Sequence, residues 1–204
     1  MNPIIRPYAD RDHDAVYDIC VRTADAGGDA RGQYRTDDLM GDLFAGPYVF
    51  LEPRFAFVLS DGGDQDQAVG YVIGTPDTAA FARAYRDQWI PRLAGRYPVP
   101  PDPPLTPEDQ MLALHYNPER LLWSRLDRYP AHLHIDLLPG LQGRGYGRQL
   151  IGTFGAAAAA AGVRGMHVCV VSANVQALGF YAKISFGLVE VDEPGGVTYL
   201  GRAL

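Results

Sequence analysis

The sequence predicts an α/β protein, a single domain over residues 1–204 in which helices flank a central sheet. Three observations carry this expectation. Strand-like alternation and helix-like periodicity take turns along the chain. Two pairs of strand-like runs are joined by Gly-containing turns and read as antiparallel hairpins. Between these pairs, residues 76–130 form a mostly helical, Pro-rich stretch that reads as an insertion rather than a second domain.

Ile4-Ile5-Arg6-Pro7-Tyr8 reads as a first short strand, and Asp10 to Thr23 as a helix with Ala15, Val16, Ile19 and Cys20 on one face. Ala26-Gly27-Gly28 breaks it, and Thr36 is placed to cap a second helix through Leu39, Leu43 and Phe44. Arg54 to Ser60 alternates Phe55, Phe57 and Leu59 as a strand, Asp61-Gly62-Gly63-Asp64 turns, and Ala68 to Thr75 returns. In the insertion, Asp77 to Gly95 is helical, with Phe81, Tyr85, Trp89 and Leu93 four residues apart. Pro98 to Pro104 is an extended connector. Thr106-Pro107 starts a helix with Pro in its first turn, and Asn117-Pro118-Glu119 starts a short one through Trp123. The rings of Tyr85, Trp89, Tyr97, Tyr116, Trp123 and Tyr129 are expected to pack the insertion onto the sheet, with a pocket lining as the alternative.

Ala131 to Leu138 reads as a strand with Leu133, Ile135 and Leu137 on one face and His132, His134 and Asp136 on the other. A Gly-rich loop follows, then a helix with Leu150, Ile151, Phe154, Ala157, Ala158 and Ala161 in phase, stopped by Gly162. Gly165 to Val171 is a short apolar strand. Asn174 to Ile184 is a helix capped by Asn174 or Ser172. Phe186 to Val191 and Val197 to Leu200 close as a hairpin around Glu193-Pro194-Gly195-Gly196.

Composition narrows the function classes. With 47% hydrophobic and 21% charged residues, the chain has the make-up of a globular protein. Only Cys20 and Cys169 are present, which excludes a disulfide framework and a zinc ribbon. Cys169, flanked by Val168 and Val170, is expected to be a small core residue. Residues Met1 to Arg11 hold no apolar signal stretch, and the run from Ala156 to Val163 falls far short of the roughly 20 residues of a membrane span. The expectation is a reduced, cytoplasmic protein without a membrane partner. A net charge of −6 argues against nucleic acid. The charge is segregated: from Leu137 to Val189 there is no acid, and Arg144, Arg148, Arg164 and Lys183 give that stretch +4. Such a segment suits an anionic small ligand.

The loop Gln142-Gly143-Arg144-Gly145-Tyr146-Gly147 carries the chemistry. The first amides of a helix have no intrahelical partners, and the helix dipole places partial positive charge beside them. Gly143, Gly145 and Gly147 let the backbone approach phosphate closely, and Arg144 and Arg148 add charge. A Walker loop would end GKS or GKT, whereas this one ends Gly147-Arg148-Gln149. A Rossmann fingerprint has G-x-G-x-x-G and an acid about 20 residues later; here the spacing is G-x-G-x-G and no acid precedes Glu190. The pyrophosphate of coenzyme A is the remaining ligand.

Ile135-Asp136-Leu137-Leu138-Pro139 followed by Gln142-x-x-Gly145-x-Gly147 resembles the hallmark strand and Q/R-x-x-G-x-G/A loop of the GNAT superfamily of N-acyltransferases. Asn174-x-x-Ala177-x-x-Phe180-Tyr181-x-Lys183-x-x-Phe186-Gly187 resembles the second hallmark, N-x-x-A-x-x-F-Y-x-K-x-G-F, with Ile184-Ser185-Phe186 in place of the usual Leu-Gly-Phe. The phrase Tyr129 to Pro139, preceded by the long insertion, is similar to a bacterial subgroup related to the acetyltransferase-like C-terminal domain of eukaryotic O-GlcNAc hydrolases. The match lies in the C-terminal third of the chain, with 131–190 as the acetyl-CoA-binding core.

The resemblance implies a mixed, mostly antiparallel central sheet and acetyl-CoA as cosubstrate without a metal. It also implies direct acetyl transfer to an amine. Splayed strands, Leu133–Leu138 and Met166–Val171, would let the pantetheine arm pair with the backbone of Leu137. The implied cofactor contacts are Leu137, Leu138, Gln142, Gly143, Arg144, Gly145, Tyr146, Gly147, Arg148, Asn174 and Tyr181. Tyr181 matches the family's tyrosine that protonates the leaving thiolate. For the base, His132, His134 and Asp136 share one strand face; Asp136, next to Leu137, is preferred and His134 is second. The same three side chains also permit a two-His-one-carboxylate metal set, a reading the coenzyme A loop makes unnecessary. The acceptor is an unidentified amine, small molecule or peptide, and a homodimer is left open. The alternative function is a catalytically inactive acetyl-CoA-binding module whose insertion meets a protein or ligand partner.

Overall fold

A computed structural model describes residues 2–192 and 194–204. The chain runs β1 (Ile4–Pro7), α1 (His13–Val21), α2 (Asp38–Phe44), α3 (Gly46–Leu51), β2 (Ala56–Ser60) and β3 (Ala68–Thr75). The insertion follows, with α4 (Thr78–Ala84), a π turn (Tyr85–Trp89), α5 (Ile90–Leu93), α6 (Pro107–Tyr116) and a 3-10 turn (Pro118–Leu121). Then come β4 (Ala131–Leu137), α7 (Tyr146–Ala160), β5 (Gly165–Val171), α8 (Val175–Lys183), β6 (Gly187–Val189) and β7 (Val197–Ala203).

The seven strands form one sheet in the order β1-β2-β3-β4-β5-β7-β6. Every pairing is antiparallel except β4 with β5. This is the mixed, mostly antiparallel α/β architecture expected from the motifs. The alternation of β3 divides the core in two. Tyr71 and Ile73 face α1–α4, where Val16, Ile19, Leu39, Leu43, Tyr48 and Phe81 meet them. Val72 faces α7, whose Leu150, Ile151 and Phe154 pack against Leu133, Met166 and Val168. All three of those α7 side chains are fully buried, so truncating Phe154 to Ala would cost about 3–5 kcal/mol.

The insertion is drawn into the first of these clusters through Phe81, Tyr85, Trp89, Leu93 and Tyr97. Its anchor is Asp42 on α2. The Asp42 carboxylate accepts from the hydroxyls of Tyr17 at 2.8 Å and Tyr97 at 2.7 Å, and its carbonyl accepts from Trp89 Nε1 at 2.8 Å. These rings pack the insertion onto the rest of the domain, and Tyr17 and Trp89 also line a cavity on its outer side, while Trp123 packs on His167 and Tyr199 instead. Caps set the helix starts: Asp77 accepts from the Ala80 amide, and Thr106 with Asp109 makes a reciprocal capping box.

Several boundaries differ from the sequence expectation, each for a local reason. Arg54 and Phe55 lie in a 3-10 turn begun by Pro53, so β2 starts only at Ala56. The second helix is followed by a third, α3, whose Pro47 occupies the first turn, where a missing N–H is harmless. The segment after Pro118 makes a 3-10 turn that stops at Leu121, short of Trp123. Glu193, in the expected turn between β6 and β7, lies outside the described residues. None of the described helices is long and apolar enough to cross a membrane.

Candidate functional site

β4 and β5 are paired only at Ala131↔Met166 and His132↔His167, after which they part. The Leu138 N–H donates to Val69 O at 3.2 Å, on the β3 side. Backbone groups alternate between the two edges of a strand, so the Ile135 and Leu137 amides point the other way, into the gap left by β5. The Leu138 carbonyl in turn accepts from the Leu141 N–H at 2.9 Å. The Leu137 carbonyl accepts from Gln142 Nε2 at 3.0 Å, which ties the loop to the end of β4.

The loop enters α7 in the conformation its glycines permit. Gly143 (φ 73°) and Gly145 (φ 88°) are both left-handed, and no atom lies within 4 Å of the position a Cβ would take at either. Gly145 is the N-cap of α7, with no side-chain cap and no acid in the first turn. The first bond back to the loop is Gln149 N–H to Gly145 O at 3.3 Å, so the amides of Tyr146, Gly147 and Arg148 precede the helical ladder. A Cβ on Gly147 would lie 3.0 Å from the Phe180 ring, and this closeness seats α7 against α8. Arg144 is exposed, and exposed Arg148 donates to Lys183 O at 3.3 Å. The result is a positive, amide-lined lip above the gap between β4 and β5.

α8 borders the same gap. Asn174 Oδ1 accepts from the Ala177 N–H at 3.0 Å, so its side chain is a helix cap, as one of its two sequence readings held. Tyr181 is buried between Phe180 and Phe186, yet its hydroxyl bonds no protein group among the described residues. Burial, with the Asp136 charge adding, pushes this phenol well above its usual range, so it stays protonated and able to donate.

This geometry has close counterparts. Residues 111–186 match the model of the acetyltransferase (GNAT) family. The crystal structure of SsHAT superposes with a TM-score of 0.94 at 52% identity, covering 100% of this chain and 98% of that one. The chain belongs to the GNAT acetyltransferase family. A GNAT superfamily phosphinothricin acetyltransferase from Sinorhizobium meliloti, solved with acetyl-CoA, shares the fold at a TM-score of 0.57 and 13% identity, over 100% of this chain and 89% of that one. Protein O-GlcNAcase of Rattus norvegicus is 29% identical over 98% of this chain. The chain spans 22% of that relative's length.

On the side of the GNAT sheet facing α1–α4, β4 presents His132, His134 and Asp136, as alternation predicts. Asp136 Oδ2 accepts from the Tyr71 hydroxyl at 2.5 Å. Burial raises the Asp136 carboxyl to about 6, against the opposing pull of the Tyr71 and Thr23 hydroxyls. His134 moves the other way: burial, then the positive charge of Arg120, lowers it to about 4. It is therefore neutral at pH 7. His132 has both ring nitrogens engaged, Nε2 with the Tyr48 hydroxyl at 2.7 Å and Nδ1 with Thr78 Oγ at 2.7 Å, so it has none to give a metal. No group of three His, Cys, Asp or Glu among the described residues is arranged to hold one.

Sequence reasoning missed Tyr48 and Tyr71, whose contacts with β4 join residues 65 or more apart in sequence. Cys169 corrects an expectation: it is exposed rather than buried. Beyond His167, β5 has no β4 neighbour, and Cys169 is the next residue of the strand on that side. A cavity of about 710 Å³ between α1, α2 and the π turn, lined by Asp14, Tyr17, Asp38 and Trp89 among others, involves no residue of β4, β5, α7 or α8 and is separate from the gap.

Proposed function

We propose that this GNAT protein binds acetyl-CoA along the gap between β4 and β5 and catalyses direct transfer of the acetyl group to an amine. The observation that carries this reading is the parting of β4 from β5 directly below an uncapped, acid-free helix start. The gap is flanked by a protonated tyrosine on one side and a carboxyl of raised pKa on the other. The residues present fit the cosubstrate. The amides at Gly143 to Arg148, with Arg144, would hold its pyrophosphate, and the Ile135 amide would hold the pantetheine arm. The bound cosubstrate supplies an activated thioester carbonyl.

The chain's own groups then do three things. Asp136 takes a proton from the attacking nitrogen; a carboxyl near 6 is mostly ionised at pH 7 yet a better base than an exposed one. The Leu137 N–H is positioned to hydrogen-bond the carbonyl oxygen as negative charge develops there. Tyr181 donates its proton to the departing sulfur.

The test is calorimetric binding of acetyl-CoA, followed by thiol release in the presence of tyramine, benzylamine, an aminoglycoside and a lysine-containing peptide. Binding with turnover of at least one amine supports transfer. Binding without turnover of any supports the alternative, a CoA-responsive module with a protein or ligand partner. Absence of binding removes both.

A further inference from the structure

The three histidines on the α1–α4 side of the sheet form a continuous group: His132 lies 6.4 Å from His134 and 5.5 Å from His167 between ring centroids. Their hydrogen bonds can be resolved to the proton. The Thr78 hydroxyl lies 2.7 Å from Pro130 O, and a carbonyl can only accept, so this hydroxyl donates to it. Thr78 Oγ, 2.7 Å from His132 Nδ1, must then accept, which places the His132 proton on Nδ1. His132 Nε2 is left as a lone pair and accepts from the Tyr48 hydroxyl at 2.7 Å. That hydroxyl has one proton, already committed to His132, so the 3.1 Å contact from Tyr48 Oη to His134 Nε2 is donated by the histidine. His134 therefore carries its proton on Nε2, and its Nδ1 is a bare lone pair with no partner among the described residues.

His167 is wired separately: its Nδ1 donates to Tyr129 O at 2.7 Å, and its Nε2 accepts from Trp123 Nε1 at 3.4 Å. Of the three rings, His132 and His167 are buried and have both nitrogens engaged. His134 alone is half-buried and has a nitrogen to offer. It stands two residues before Asp136 on the same strand face, about 6–7 Å along the strand.

We propose that His134 Nδ1 is an acceptor-binding group that selects a primary amine, and that Tyr48 and His132 are positioning residues that hold its tautomer. This rests on the reading of the β4 face as the acceptor side. The amine binds as R–NH2, its first proton lost to solvent. As the C–N bond forms, one N–H proton passes to Asp136. The C–S bond breaks and the departing sulfur takes the Tyr181 proton, which returns to Tyr181 from Asp136 through solvent. The other N–H stays on the product amide and stays bonded to His134 Nδ1 throughout. A secondary amine must give up its only N–H in the same step, and so loses this bond as it reacts.

The wiring is tested first, without any substrate, by long-range 1H–15N correlation of the histidine-labelled full chain. The expected result is a neutral His134 protonated on Nε2 from pH 6 to 8, and a mixture of tautomers in Tyr48→Phe. A His134 protonated on Nδ1 in the wild-type protein overturns the proposal, whatever the protein catalyses. The selection is tested with the amines of the panel that turn over, each beside its N-methyl counterpart. His134→Phe should lower the preference for the primary amine about tenfold, with acetyl-CoA affinity unchanged. Tyr48→Phe should raise the KM for the amine more than it lowers kcat. An unchanged preference in His134→Phe overturns the selecting role. If no amine turns over, the transfer reading fails and the selecting role with it, while the correlation spectrum still decides the tautomer.

Discussion

Tyr71 on β3 and Asp136 on β4 are direct cross-strand partners, and the buried Tyr71 hydroxyl bonds the Asp136 carboxylate at 2.5 Å. Hydrogen bonding favours the ionised carboxyl and burial disfavours it; burial wins, and the group stands at about 6. This makes Asp136 a site where function and stability conflict. In the unfolded chain the carboxyl loses its proton near pH 3.8, in the folded chain near 6. Below that window both states are protonated and nothing is lost. Through it the native state holds the extra proton, so stability falls as pH rises, and above about 6 the cost is complete. Asp136→Asn keeps an oxygen for Tyr71 and removes the charge. It should melt about 6 °C or more above wild type at pH 8 and close to wild type at pH 4. A gain of the same size at both values would separate the effect from ionisation.

The same group sets the pH dependence of turnover. In the wild-type protein, kcat/KM should fall on the acidic side with a limb near pH 6, as Asp136 takes up its proton. Asp136→Asn should lower the rate by a factor on the order of 10² or more and remove the limb. His134→Gln should leave the limb in place, since that ring is already neutral down to about pH 4. If His134→Gln alone erases it, His134 is the base and Asp136 only orients it.

Acetyl-CoA should raise the melting temperature of the wild-type protein, because the loop amides are assembled only in the folded state. Gly145→Glu should abolish the shift, by setting a negative side chain in the open space above a left-handed residue. That substitution also strains the backbone. Arg144→Glu, at an exposed position with no such strain, supplies a second measurement and should weaken acetyl-CoA binding about tenfold. Calorimetry on both variants, each checked for a folded spectrum, decides the matter; unchanged affinity in both removes the loop from the binding site.

What was readable in the sequence was whatever depends on near neighbours. The limits of β3, the turn before it and the cap at Asn174 all follow from residues a few positions apart, and all are observed. The side-chain faces of β4 follow from alternation. α3 was not readable because Gly46-Pro47 looks like a break, and only its surroundings show that Pro47 begins a helix. Tyr48 and Tyr71 act through contacts made by the folded sheet. Cys169 was misplaced because an apolar run does not reveal that its strand has lost a neighbour. The sequence ranked Asp136 ahead of His134 by its place beside Leu137, but the burial that moves the carboxyl up and the imidazole down was out of its reach.

Tyr181→Phe removes a hydroxyl that no protein group bonds among the described residues, so it strands no partner there. The melting temperature and the acetyl-CoA Kd should stay near wild type, while kcat falls by a factor on the order of 10² or more. The measurement is steady-state turnover beside calorimetry on the same preparation. A wild-type kcat would make Tyr181 a packing residue of α8.

The end of α8 holds Tyr181 in place through a helix-terminating motif. The Phe186 N–H donates to Tyr181 O at 3.1 Å and the Ser185 N–H to Ala182 O at 3.2 Å, the paired bonds of a Schellman ending. The accompanying apolar contact is the Phe186 ring against Tyr181, 5.2 Å between centroids. Such an ending requires a left-handed residue after the cap, usually Gly, and here it is Ser185 at φ 68°. This is the one place where the second motif departs from its usual Leu-Gly-Phe. Ser185 is exposed, so a substitution there changes little besides the backbone preference. Ser185→Gly should stabilise the protein by about 0.5–1 kcal/mol, the left-handed strain relieved less the added freedom of the unfolded chain. For a chain of this length that is about 2 °C in Tm. Ser185→Val, β-branched and poorly suited to positive φ, should lower Tm by a similar amount or more. Thermal denaturation of the three proteins checks both signs, and a Gly variant that melts below wild type would show that the Ser185 side chain contributes something the backbone argument omits.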